Sequence, residues 1–583
     1  MSKPPSEDAN ILYAVDDKPP HLLSALLGFQ VVALILAFIV LIPVIALDAG
    51  GMDDNAKAWA VFATLMVSGS VTILQAKAIG PIGAGYVLFM GTSGAFIAVS
   101  VSALQAGGLP LLASLIIASS LVQFLFANRL GLLRKIITPT VGGTVVALIA
   151  VAVIPIALNM LNVRPENYAG TDSAAAWTAA LTLVVILGLS FFGNKKWRLW
   201  GPVIGVVTGS IFAHFMGLTD LRALAEADFI GLPPASWPGI DLSFSTAFWV
   251  LLPGFIIVTV IGALETYGDG IAIQEVSRRG RNPTDYKAVQ GAVSADGMGN
   301  LLSGLSGTLP NTTYSTSVSV VDLTGVAARR VGIYGGIILM LLAFSPKVSA
   351  LLQSIPGPVG GVFLFFLIVL LFAHGIRLIV SDGLSFDSGI IFGVSLWMGY
   401  GFQAQGVFHE LMPPMMAQLL DNGMTTGGLT AIALSLLLTL KRSKAHRLTV
   451  PAKASALPQI MSFAREKAEQ ADWRGDDVMR LELALEEAFL YQVEKAGEDN
   501  DFKIRLSLRK LDHKLEVEFV SAPAEDNLEA VIQNMQTDSD FSADDLRLRL
   551  LAGMVEKLSH EQFNQQDYLS LVIAQKREVQ RLS

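Results

Sequence analysis

The stretch Ser245 to Leu264 reads STAFWVLLPGFIIVTVIGAL and carries no charge over twenty positions. A helix of that length crosses the hydrocarbon core of a bilayer, about 30 Å. Apolar runs of this kind recur from Leu22 to Leu440 and then stop. The chain is therefore read as a polytopic membrane protein with a soluble tail. Its composition agrees, with 52% hydrophobic and only 15% charged residues, where soluble chains carry about 25% charge. There is no cysteine, which excludes disulfides and thiolate metal sites. A net charge of −8 gives no footing for nucleic acid. The opening MSKPPSEDANILYAVDDKPP is acidic and lacks a signal-peptide pattern, so residues 1–21 are expected to stay in the cytoplasm.

Fourteen spans are read, at 22–47, 57–76, 82–104, 109–127, 139–161, 173–193, 200–217, 245–270, 287–306, 312–326, 330–346, 358–379, 386–403 and 424–440. Basic residues follow the even-numbered ones. Arg129, Arg134 and Lys135 follow the fourth, Lys195, Lys196 and Arg198 the sixth, and Arg278, Arg279, Arg281 and Lys287 the eighth. Arg329 and Arg330 follow the tenth, Arg377 the twelfth, and Lys441, Arg442, Lys444 and Arg447 the last. By the positive-inside rule both termini are expected on the cytoplasmic side of the cell (inner) membrane. The third span, GPIGAGYVLFMGTSGAF, and the tenth, GTLPNTTYSTSVSVVDLTG, mix glycine or proline with small polar and β-branched residues. Neither suits a continuous helix. Seven spans separate them, so they enter the membrane with opposite topology, which points to an inverted repeat with a binding site near the midplane.

The eighth span ends IGALETYGDG, with Glu265 and Asp269 four residues apart. On a helix they share a face, roughly 6 Å apart. Asp296 lies in the ninth span. Ionisable groups inside a membrane are expensive and mark function by default.

Residues 20–440 resemble the nucleobase–ascorbate transporter family, which includes uracil and xanthine permeases. The resemblance rests on ALETYGDG, SADGMGNLLSGLSGTLPNTTYS, LTGVAARRVG and GPIGAGYVLFMGTSGAF. It implies an all-α polytopic membrane protein whose fourteen spans form a seven-plus-seven inverted repeat, with short strands in spans 3 and 10. Spans 1–4 and 8–11 would form a core, and spans 5–7 and 12–14 a gate and dimerisation domain, with alternating access by movement of one against the other. The family's substrate-binding glutamate falls on Glu265. A carboxylate accepts the paired N–H donors of a nucleobase edge, and a buried one beside a second acid is suited to carry a proton. Asp269 and Asp296 match two further acids, assigned to pocket organisation and proton coupling; a helix-capping role for Asp269 is the alternative.

Several positions depart from the family pattern. Its tenth-span signature opens with Gln or Glu, then Asn, then Gly two residues on; this chain has Thr316, Ser317 and Ser319. Two hydroxyls thus stand where an amide would hold the base. Asp322 replaces an amide or apolar residue, and either adds a carboxylate to the pocket and its proton coupling or pairs with Arg329 or Arg330. In the first span Gln30 is kept but the following His is Val31. The aromatic that stacks on the base in the third span appears as Gly94, with Phe96 two residues on. Substrate contacts are expected from Glu265, Thr316, Ser317, Gly94, Phe96 and Gln30.

After a basic linker at 441–449, residues 450–583 read as a soluble α+β domain. WRGDDVMRLELALEEAFLYQVEKAG has helical spacing and DFKIRLSLRKLDHKLEVEFVSA alternates like a hairpin. A second helix is expected over ADDLRLRLLAGMVEKLSHEQF and a final strand over DYLSLVIAQK. This order resembles anti-sigma-factor kinases of the histidine-kinase-like ATPase fold, with the chemistry lost. Glu487 is present, but the position of the metal-holding Asn is Tyr491, and VSAPAEDNLE and SADDLRLRL lack phosphate-cradling glycines. The resemblance implies a regulatory pseudo-kinase domain, with an anti-anti-sigma-type protein as its partner.

The function expected is secondary transport of a nucleobase-like substrate by proton symport, in a membrane-embedded homodimer. No cofactor is expected beyond H⁺ as coupling ion, and no nucleic-acid partner. The alternatives are an anion transporter of the same fold, or a transporter-derived ligand sensor signalling through the tail. Motifs for enzymatic nucleophile, metal or phosphate chemistry are absent outside the degenerate tail.

Overall fold

The computed structural model describes residues 11–127, 138–165, 168, 170, 171, 173–233, 237–278, 284–381, 383, 385–405, 411–441, 445–496, 503–511, 514–521, 550–563 and 566–575. Arg129, Arg134, Lys135, Arg279, Arg281, Arg442 and Lys444 lie outside these residues. The chain divides into two compact units, one holding the membrane segments through Ser435 and the other mainly Leu436–Ser583.

In the membrane unit every expected span is present at its place. Span 1 is α1 (His21–Ala49) and span 2 is α2 (Asp54–Lys77). Asp53 starts α2 by accepting from the Ala56 amide at 2.9 Å, which satisfies one of the free N–H groups of its first turn. Span 3 is a strand, β1 (Met90–Thr92), then a 3-10 turn (Gly94–Phe96) and the first part of α3 (Ile97–Ala127). Gly107 and Gly108 break α3; at Gly108 φ is +69°, a left-handed conformation open to glycine, and span 4 begins there. Spans 5, 6 and 7 are α4 (Pro139–Met160), α5 (Ala174–Phe192) and α6 (Lys195–Phe215), and α7 (Arg222–Glu226) is a short external turn.

The second half repeats the pattern. Span 8 is α8 (Thr246–Ser277) and span 9 is α9 (Tyr286–Ser306). Span 10 is β2 (Asn311–Thr313) followed by the half-helix α10 (Thr316–Thr324). Span 11 is α11 (Arg329–Ala343), which bends by 84° into α12 (Pro346–Gln353). Spans 12, 13 and 14 are α13 (Gly357–Ser381), α14 (Phe386–Gln405) and α16 (Gly423–Lys441), with α15 (Pro414–Asp421) between the last two.

Among the described residues seven helices are long and apolar enough to cross a membrane on length and composition alone. The other spans are interrupted, shorter or richer in glycine and serine, a composition that suits helices packed inside the protein. Large apolar side chains such as Trp177, Phe191, Phe192, Phe215 and Trp397 point outward, where a bilayer takes the place of water.

The inverted repeat is visible in the packing. β1 and β2 pair antiparallel about a centre at Gly91 and Thr312. Gly69 of span 2 meets Gly336 of span 11, and Gly304 of span 9 meets Ala113 of span 4, the equivalent pair in the other half. Gly143 of span 5 meets Gly375 of span 12, which the repeat maps onto each other. Small residues let these backbones approach closely, the usual means of helix association in lipid.

The second unit is α+β. Its antiparallel sheet runs in the order β3 (His446–Pro451), β4 (Lys503–Leu511), β5 (Lys514–Ser521), β7 (Gln566–Ala574), β6 (Lys557–Phe563). The helices α17 (Leu457–Gln470) and α18 (Asp476–Ala496) share a core with it, built on Trp473, Phe489 and Phe519. β3 begins inside the stretch expected to be linker. The helix expected over residues 543–563 is corrected in part: residues 550–554 are helical, but Lys557–Phe563 is a strand paired to β7. Ladder bonds to a neighbouring strand override a local helical pattern there. The glycine-poor segment 522–549 lies outside the described residues.

Candidate functional site

The strand crossing is held from several sides. The Met90 amide donates to Thr72 Oγ1 at 3.0 Å, and Thr92 Oγ1 donates to the Ile39 carbonyl at 3.0 Å. Beyond β2 the Tyr314 amide donates to the Phe89 carbonyl at 2.9 Å, and its hydroxyl to the Thr92 carbonyl at 2.8 Å. Gly91 leaves room for this: a Cβ there would stand 2.7 Å from both Tyr314 Cζ and Ile39 Cγ1. Short strands deep in a membrane protein survive only when such internal bonds satisfy their backbone.

Three acids gather beside this crossing. Asp269 is buried, and each oxygen accepts a hydroxyl from span 10: Thr313 Oγ1 at 2.7 Å and Ser315 Oγ at 2.6 Å. Thr266 and Thr313 hydroxyls are 3.2 Å apart. Asp296 is 1% exposed, and one of its oxygens accepts from Gln123 Nε2 at 2.7 Å. Asn300 Nδ2 donates to Gln123 Oε1 at 2.9 Å, and the Asn311 amide donates to Asn300 Oδ1 at 2.8 Å. Asn311 Nδ2 then donates to Ser68 Oγ at 3.1 Å. This chain of side chains ties spans 2, 4, 9 and 10 together. The other oxygen of Asp296 is buried without a hydrogen-bond partner.

Glu265 differs from both. It is half-buried, close enough to feel the charge of Asp269 and Asp296, and among the described residues its carboxyl makes no hydrogen bond. Nor does any described Lys, Arg or His pair with one of the three acids. Asp269 is tied to the scaffold through both oxygens and Asp296 through one, whereas Glu265 makes no hydrogen bond among the described residues.

The other expected contacts divide. Thr316 opens α10 half-buried, and Gly94 is half-buried with only Ile42 within 4 Å of where a Cβ would stand. Both lie at the half-helix ends that flank the crossing. Ser317 is corrected: it is 1% exposed and its oxygen accepts the Phe89 amide at 2.9 Å, so it holds the fold together. Removing it in Ser317→Ala leaves a buried N–H unpaired, and a loss of about 1–3 kcal/mol is expected in detergent unfolding. Equal stability would show that the Phe89 amide has another partner.

Phe96 is corrected also. Its ring is 1% exposed and packs 6.4 Å from that of Phe255, so no face is presented to a ligand. Gln30 sits nine residues before Ile39, about 13 Å along α1, too far to join the crossing. Asp322 neither faces the acids nor pairs with Arg329 or Arg330. It is exposed, with its carboxylate 3.6 Å from Lys195 Nζ. Arg329 pairs instead with Asp16 at 3.3 Å, and Arg330 donates to the Pro19 carbonyl at 2.8 Å.

Sequence reasoning did not single out Gln123, Asn300, Asn311, Thr313 and Ser315. Gln123 was open to discovery, as an amide within the apolar run of span 4, since a polar group there needs a buried partner. Gln123→Leu strips a donor from Asp296 and an acceptor from Asn300 at once. A loss of at least about 2 kcal/mol in detergent unfolding is expected; wild-type stability would break the network as described.

A family model described as "Permease family" matches residues 23–406. A putative purine permease of Clostridium perfringens (strain 13 / Type A) is 29% identical over 436 residues, covering 74% of this chain and 94% of the relative. The xanthine permease XanP of Escherichia coli (strain K12) is 28% identical over 447 residues, covering 74% and 95%. The nucleobase transporter PlUacP of Paenibacillus larvae subsp. larvae is 27% identical over 421 residues, covering 72% and 95%. Among solved structures, the transmembrane domain of a cyanobacterium bicarbonate transporter, BicA, superposes with a TM-score of 0.47 at 16% identity, covering 70% of this chain and 99% of that one. The family match spans most of the membrane unit, strand crossing and acids included, and the chain belongs to the permease family, as a multi-pass membrane transporter rather than an enzyme.

Proposed function

We propose that the chain carries a purine or pyrimidine base across the membrane by proton symport, with Glu265 as the ligand's principal anchor. The observation that carries the reading is the contrast among the three acids. Asp269 is bound to the protein through both oxygens and Asp296 through one, whereas Glu265, half-buried beside a strand crossing, has both acceptors open. A nucleobase edge presents N–H donors of the kind a carboxylate accepts. The relatives named for purine, xanthine and nucleobase transport support the same class. Three acids with no basic partner among the described residues form a site that a proton entering with the substrate neutralises. An anion would meet repulsion there unless the acids are protonated, which favours a neutral base over the anion reading.

Both termini are assigned to the cytoplasm on the distribution of Lys and Arg. The α+β unit is assigned a regulatory, partner-binding role. The testing experiment is calorimetric binding to purified protein of uracil, xanthine, hypoxanthine, guanine, adenine and urate, with bicarbonate and sulfate as anion controls. A base that binds and is taken up with protons is expected. Binding of the anions alone would overturn the assignment.

A further inference from the structure

The connector between spans 7 and 8 has the wrong side chains for a loop in water. Residues 229–244 read FIGLPPASWPGIDLSF and hold a single charge, Asp241. Phe229, Ile230, Leu232, Trp237, Leu242 and Phe244 are each more than half exposed. Single apolar side chains on a surface are ordinary, but a run of this kind marks a contact face. Asp241 itself is turned into the loop, where its carboxylate accepts the Ser243 amide at 2.8 Å.

The polar groups of the connector face the protein. The Lys347 amide donates to the Asp228 carbonyl at 3.0 Å, and the Gly231 amide to the Phe344 carbonyl at 2.9 Å. The Asp241 amide donates to the Pro110 carbonyl at 3.1 Å. Trp237 Nε1 donates to the Leu305 carbonyl at 2.8 Å while its ring stays exposed. The segment is thus fastened to spans 4 and 9 and to the end of span 11, with its apolar side chains outward. A bilayer edge demands that arrangement, because backbone groups there find little water.

Lipid is the occupant that the surroundings of this face fit. The connector runs between Phe215, the last residue of α6, and Trp249, in the first turn of α8. Both are exposed, so the apolar surface begins and ends on helices that cross the bilayer. Beside it α12 leaves α11 at 84°, lying across the direction of the span, with Leu351 exposed. Lys347 of α12 holds its ammonium 4.4 Å from the centroid of the Phe229 ring. A lysine that keeps its charge at the edge of an apolar surface, among aromatic rings at span ends, is typical of the membrane–water boundary.

We propose that residues 229–244, together with α12, are seated in the membrane–water boundary opposite the start of span 1 and bind phospholipid there. Lys347 lies at headgroup level, and the apolar row meets the upper acyl chains. Spans 4 and 9, which carry Gln123, Asp296 and Asn300, are thereby fastened to the bilayer surface through the connector.

The chain has no cysteine, so one introduced thiol takes one label. Leu232→Cys and Leu242→Cys place a bimane label on the connector, and Glu226→Cys places it on the exposed, charged end of α7. The full-length protein is held in phospholipid nanodiscs, where both faces are open to water. One quencher is a phospholipid with a nitroxide near the top of its acyl chain, and the other is iodide. Side chains seated ~5–10 Å into the boundary should be quenched at least ~3-fold more strongly by the nitroxide lipid than the Glu226→Cys label, with iodide giving the reverse order. Iodide quenching all three labels alike puts the connector in water and overturns the proposal. Connector labels that neither quencher reaches overturn it too, since protein, such as a second copy, then covers the face. The readout needs no transported substrate, so it stands apart from the nucleobase reading.

Discussion

Glu265→Gln is expected to weaken base binding by roughly 30- to 1,000-fold and to abolish uptake. The carboxylate accepts with both oxygens, whereas glutamine keeps one acceptor and turns an NH₂ donor toward the donors of the base. Hydrogen bonds to a charged group contribute about 1.5–3 kcal/mol each, and a mismatched donor adds a desolvation cost. A total of about 2–4 kcal/mol follows, with each 1.4 kcal/mol a factor of ten in affinity. The protein itself should be unharmed, because no described residue bonds to this side chain. Thermal stability without ligand separates the two effects: it should match wild type while the calorimetric signal disappears. Asp269→Asn should differ in its effect on the fold. It disturbs the bonds to Thr313 and Ser315 and so lowers stability as well as affinity. Equal losses of affinity with equal stability in both variants would remove the distinction between anchor and scaffold.

Much of this architecture is legible in the sequence because the bilayer simplifies the problem. A segment in lipid must be apolar for about twenty residues and must satisfy its own backbone. That made the spans readable, and it made the broken spans conspicuous through PNTTYST and MGTSGAF. Glu265, Asp269 and Asp296 stood out for the same reason, as charges with no solvent to hold them. Which way each side chain points was not legible. Ser317 and Ser315 are alike in chemistry and two residues apart. One faces the Phe89 amide and the other Asp269 only because β1 lies on one side of α10 and α8 on the other. Phe96 looked like a stacking residue by type, and its burial on Phe255 depends on how spans 3 and 8 meet. Asp322 lacked any local sign of its partner, since Lys195 is far away in the chain and reaches it only through the packing of span 7. In the tail, KLSHEQF carries no pattern strong enough to resist pairing with β7.

Gly336→Leu is expected to cost more than about 3 kcal/mol, or to prevent accumulation of folded protein, because its collision is with backbone. A Cβ at Gly336 would stand 2.6 Å from the Gly69 carbonyl oxygen and 2.6 Å from Ile73 Cγ1. A Cβ at Gly69 meets the Gly336 carbonyl oxygen at 2.5 Å and Met340 Cγ at 2.6 Å. A side chain on either helix can be met only by moving α2 away from α11. That movement reaches the site, since Thr72 of α2, one turn from Gly69, holds the Met90 amide at the strand crossing. Relief at the helix contact would therefore pull on β1, and through its pairing on β2 and the residues that bind Asp269. Gly389→Leu is the matched control: it is exposed on α14, with nothing within 4 Å of a Cβ, and should accumulate as wild type does. Size-exclusion profiles and unfolding in detergent measure both variants. In a partly folded Gly336→Ala, ligand affinity should fall along with stability, because the shift is transmitted to the crossing. If Gly336→Leu folds and binds like the control, then α2 and α11 do not meet at these glycines, and the inverted-repeat packing that places the site loses one of its contacts.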